Sequence, residues 1–168
     1  MNIKRLQNLS FVRNSLVNKF LFISFFVSLF AIFGSLIRVS EVGFLPIMYF
    51  HIFICLGFGA FYCLRARLPF YLKAYFVVFG LATTGLGGVL TFGLTGAGVP
   101  VLLGTVIFAQ LFLGVRAALA FIALSVAVMG WQTWDHYWAI EGGKAEVLSW
   151  FNNITAFLYI SGVAVYCI

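Results

Sequence analysis

The sequence predicts an all-α fold: a polytopic membrane helix bundle of about six transmembrane helices, with both termini in the cytoplasm. Three observations carry this expectation. The chain of 168 residues is 64% hydrophobic and 8% charged, whereas soluble domains carry roughly 25% charged residues. Its apolar residues gather into six runs, each near the length of about 20 residues that crosses a hydrocarbon core. Its Lys and Arg side chains fall into alternate gaps between those runs, the pattern that orients membrane proteins.

The first 19 residues, MNIKRLQNLSFVRNSLVNK, carry Lys4, Arg5, Arg13 and Lys19 and no acid. They read as a basic, moderately amphipathic arm lying on the inner leaflet. The first span is expected over 20–37, FLFISFFVSLFAIFGSLI. It is longer than the apolar core of a cleaved signal peptide, and IRVSEV after it is a poor cleavage site, so it reads as a retained anchor. The second span is expected over 45–64 and the third over 74–92.

The fourth and fifth runs, 100–115 and 117–134, could form one helix. That helix would be about 50 Å long against a hydrocarbon core of about 30 Å, with Arg116 near its middle. A turn around Gly114-Val115-Arg116 removes both problems. The sixth run, 150–168, is still apolar at Ile168, which suggests truncation before a cytoplasmic output domain. With six spans, the arm, the 65–73 gap and Arg116 share one face and hold eight of the ten basic residues. All four acids, Glu41, Asp135, Glu141 and Glu146, lie on the opposite face. The net charge of +6 therefore reads as membrane topology, with the lipid bilayer as partner, and not as a nucleic-acid footprint. The three cysteines, all inside apolar runs and without a CxxC, indicate neither a disulfide framework nor a zinc site.

The stretch TFGLTGAGVPVLLG, 91–104, is rich in glycine. It has no Lys to hold a phosphate, so it is not a P-loop. Gly93, Gly96 and Gly98 instead read as a tight outer turn, with Pro100 in the first turn of the next helix. Gly80, Thr84 and Gly88 fall at i, i+4 and i+8, a small-residue face for close helix packing in lipid. No catalytic motif is present, and no cofactor is indicated. Met48, His51 and Cys55 share a face that could hold copper or haem, but a His hydrogen-bonded to a neighbouring helix is the plainer reading. Polar residues gather near the expected outer level: Glu41, His51, Gln132, Asp135, His136, Asn152 and Asn153. If they form a sensing pocket, it opens outward; the plainer reading is a set of polar helix ends. Gln110, alone in an apolar run, suggests an interhelical hydrogen bond.

Three motifs stand out between Glu41 and Val128: Arg67-Leu68-Pro69, Phe92-Gly93-Leu94 with Gly96 and Gly98, and Leu113-Gly114-Val115-Arg116. In these the segment resembles the membrane-embedded N-terminal region of bacterial sensor histidine kinases and related diguanylate cyclases. The resemblance implies an input module in the bacterial inner membrane, working as a homodimer, whose last helix drives a cytoplasmic kinase or cyclase output domain. It carries no known ligand onto any residue here. A small multi-pass transporter is the alternative, but no motif recurs in register between 20–92 and 100–168, as an inverted repeat would require.

Overall fold

Six α-helices make up the described part of the chain: α1 Ile3–Val42, α2 Pro46–Cys63, α3 Phe70–Phe92, α4 Gly98–Leu113, α5 Val115–Ala139 and α6 Lys144–Cys167. This computed structural model describes the backbone of residues 3–44, 46–94, 97–139 and 144–167. Side chains are described within those ranges except at 3–10, 34, 35, 38, 40–42, 46, 47, 135–139, 144–152 and 167. No strand occurs among the described residues. Among the described residues, three segments are long and apolar enough to cross a membrane: Phe11–Phe33, Phe70–Phe92 and Val115–Trp134. Met48–Cys63, Gly98–Leu113 and Asn153–Tyr166 are shorter apolar helices.

α1, α3, α5 and α6 begin before the apolar runs expected for them, whereas α2 and α4 keep close to theirs. α1 passes through Lys19 without a break and extends 40 residues, about 60 Å at 1.5 Å per residue. α3 begins at Phe70, directly after Pro69, which offers no backbone N–H. Large apolar side chains point outward along the helices, among them Phe30 at 76% exposure, Phe53 at 71% and Trp131 at 68%. In water such a surface would be strongly unfavourable; in hydrocarbon it is the side that faces solvent.

The chain divides into two units, Met1–Val77 and Val78–Ile168. In the first, α1 packs along α2. Gly59 brings α2 close to the Phe25 ring, 3.0 Å from where a Cβ would sit. Phe76, from the first turns of α3, lies against Gly57 and stacks on Phe61 with ring centroids 3.9 Å apart. In the second unit, α4, α5 and α6 pack against one another. The rest of α3 meets α4 across a seam of small residues where the backbones approach closely, described below.

Three glycines end helices by backbone conformation; Gly43, at φ +73° with its N–H on the Val39 carbonyl at 3.0 Å, closes α1. Gly93 adopts φ +70° and donates its N–H to the Val89 carbonyl at 2.9 Å, the left-handed cap that glycine provides most readily. Gly114 has φ +96° and ψ 176°, a region open essentially to glycine alone. Its N–H still reaches the carbonyls of Ala109 and Gln110, and its own carbonyl accepts from Ala117 and Ala118. One residue thus closes α4 and opens α5. Arg116 sits exposed in the first turn of α5.

Candidate functional site

The densest polar arrangement among the described residues surrounds Lys73, in the first turn of α3. Its side chain is 1% exposed. The ammonium donates to Asn14 Oδ1 at 2.7 Å, Asn18 Oδ1 at 2.8 Å and the Arg65 carbonyl at 3.1 Å. An ammonium has three N–H donors, so its hydrogen bonding is complete. Asn14 and Asn18 are four apart and therefore lie one above the other on a single face of α1. The Arg65 carbonyl becomes available because the turn at 64–68 follows the end of α2.

All three acceptors are neutral, so the positive charge of Lys73 is solvated by dipoles and not cancelled. It also stands at the N-terminal end of α3, where the helix dipole is unfavourable to a cation. Nearby, the Arg13 guanidinium lies 5.0 Å from the Phe70 ring centroid, and Arg65 lies 4.1 Å from that of Tyr62. Arg65 also donates from a terminal guanidinium nitrogen to the Tyr62 carbonyl at 2.9 Å. The region is therefore a positively charged end of the first unit, tied together by a buried lysine.

The sequence marks Lys73 only as a topological charge. The available signal was an Asn pair at i, i+4 within NSLVN, together with a basic residue in the first turn of the helix that follows Pro69. Such a pair has no motif status, because it works only through a partner 55 and 59 residues away.

The small-residue seam lies in the second unit. A Cβ on Gly98 would meet the Val89 nitrogen at 2.5 Å, the Gly85 carbonyl oxygen at 2.6 Å and the Gly88 carbonyl carbon at 2.9 Å. A Cβ on Gly88 would lie 3.0 Å from the Gly98 Cα. Gly85 is filled by Leu102, whose side-chain carbons stand 2.8 Å from a Cβ there. Backbone therefore touches backbone where α3 meets the start of α4. Gly85 is part of this seam although the i, i+4, i+8 spacing of Gly80, Thr84 and Gly88 passes over it. The Thr84 hydroxyl turns back to the Gly80 carbonyl of its own helix at 2.8 Å. Gly96 lies outside the described residues.

The expected outer polar set is only partly described. His51 is half-buried on α2, and Gln132 is half-buried on α5. Glu41, Asp135, His136 and Asn152 lie on helices, but their side chains are outside the described residues. Met48 and Cys55 are packed in the core, at 5% and 3% exposure. No three His, Cys, Asp or Glu side chains come together as a metal-ligand set among the described residues. The Gln110 side-chain oxygen is buried without a hydrogen-bond partner among the described residues, as is the Ser161 hydroxyl on α6.

A protein-family model, MASE11, matches residues 11–168. The chain belongs to the MASE11 family. MASE domains are membrane-associated sensor domains of signalling proteins, so this chain is a membrane-associated sensor module. The MASE11 match takes in the lysine node, the glycine seam and the one-residue turn at Gly114 alike. Searches of curated proteins and of solved structures returned no match.

Proposed function

We propose that the chain is the membrane-embedded input module of a bacterial signal-transduction histidine kinase, with both termini cytoplasmic and all six helices crossing the inner membrane. A stimulus at the outer face or in the bilayer changes helix packing, and α6 passes that change to a cytoplasmic transmitter, with the module acting as a homodimer. The observation that supports this most is membership of a sensor family over residues 11–168. The packing of α6 on α4 and α5 gives the relay a physical route, since a shift in either neighbour moves the surface on which α6 rests. The sequence resemblance extends equally to diguanylate cyclases, which share the same input logic. His51 and Gln132 are candidate sensing residues, each to be substituted separately in the intact protein.

The coding sequence beyond Ile168 tests the reading. A phosphoacceptor and ATP-binding region is expected. A cyclase region would keep the sensor role and replace the output. A stop codon or an extracytoplasmic domain there would contradict the relay. The transporter reading gains no specific support from the helices described.

A further inference from the structure

A cleft of about 520 Å³ opens between α1 and the end of α2, lined by Ser15, Asn18, Lys19, Phe22, Ile23, Tyr62 and Arg65. That volume falls within the range of about 300–1,000 Å³ that holds small ligands. The five α1 residues share one helical face, so the cleft has two ends. One end is polar and basic, formed by Ser15, Asn18, Lys19 and Arg65. The other is apolar, formed by Phe22, Ile23 and the Tyr62 ring, which meets Phe22 with centroids 5.1 Å apart.

We propose that this cleft binds an anionic phospholipid, with the headgroup phosphate between Lys19 and Arg65 and an acyl chain along Phe22 and Ile23. Charge is the first argument. The cleft holds Lys19 and Arg65 with Lys73 beside it, and the first unit has one acid, Glu41. Glu41 is 22 residues from Lys19 along α1, about 33 Å at 1.5 Å per residue. A Debye length is about 8 Å at physiological salt, so Glu41 neutralises nothing at the cleft. The buried Lys73, held by neutral acceptors, adds a fixed positive charge beside it.

Pre-organisation is the second argument. Arg65 is held against Tyr62 by both a hydrogen bond and ring stacking, and this uses one of its five N–H donors. Asn18 turns its oxygen to Lys73, which leaves its amide NH2 as a donor. The cleft wall thus offers cations and donors, the complement of a phosphate. The apolar end then selects a lipid over a soluble anion. Basic pockets between membrane helices are suited to anionic headgroups.

The test is native mass spectrometry of the detergent-purified protein titrated with phosphatidylglycerol, phosphatidylethanolamine or soluble glycerol phosphate. Selective retention of phosphatidylglycerol is expected. Lys19→Ala with Arg65→Ala should weaken it roughly 30-fold, about fivefold per charge; both side chains are exposed, so folding should survive. Ile23→Trp, which fills the apolar end without altering charge, should also weaken it. Arg116→Ala, basic but outside the cleft, should not. Equal retention of the two lipids overturns the proposal. So does an equal loss from Arg116→Ala, or glycerol phosphate binding as tightly as the lipid. None of these outcomes depends on which output domain the sensor serves.

Discussion

Replacing Gly98 by alanine is expected to force α3 and α4 apart. The three atoms nearest a Cβ there are all backbone, at 2.5, 2.6 and 2.9 Å. No side-chain rotation relieves such contacts, and ordinary packing needs roughly 3.5 Å or more. The local separation must therefore grow by about 1 Å. Overpacking of this kind costs about 1–3 kcal/mol, and a gap of that size forfeits a quarter to a half of the dispersion energy along the seam. Thermal or SDS-induced unfolding in detergent micelles should show Gly98→Ala destabilised by about 1–3 kcal/mol, with Gly98→Val worse. Gly104 and Gly130 supply the control, since a Cβ at either meets nothing within 4 Å. Alanine there should be neutral or stabilising by up to about 1 kcal/mol through helix propensity. Wild-type stability for Gly98→Ala, or equal losses at all three positions, would refute the seam.

Asn18→Ala removes one of three acceptors from a buried ammonium, and a hydrogen bond to a charged group contributes about 1.5–3 kcal/mol; the loss should appear in the same unfolding assay. Lys73→Arg should not rescue the node, because a planar fork does not match three acceptors placed around a point charge. Gly114→Ala must hold φ +96° with a Cβ at a cost of about 1–3 kcal/mol, and a cysteine pair placed across α4 and α5 should then crosslink more slowly.

Much of the fold was legible in the sequence because lipid imposes a length on apolar runs. Arg116 made one long helix over 100–134 untenable, and the chain does turn two residues before it, at Gly114. Helix ends were less legible, because nothing in an apolar count stops a helix at the membrane surface. Thus α1 runs back to Ile3 and α3 starts at Phe70, where Pro69 and not hydropathy sets the boundary. The glycines announced close packing, but the spacing through Gly80 and Thr84 missed Gly85, since the approach angle of α4 decides which small residues meet it. Lys73 was invisible as a structural centre. Its three acceptors come from two other segments of chain, α1 and the turn after α2, and only folding brings them to the start of α3.

The relay through α6 is tested most directly by rotating its exit. Alanines inserted between Tyr166 and Cys167 of the intact protein turn everything downstream by about 100° each, and seven return it to within about 20° of its starting face. If α6 transmits a packing change, signalling output should be altered by one to three insertions and recover at seven. Output unchanged by every insertion, or lost progressively with no recovery at seven, would contradict the relay.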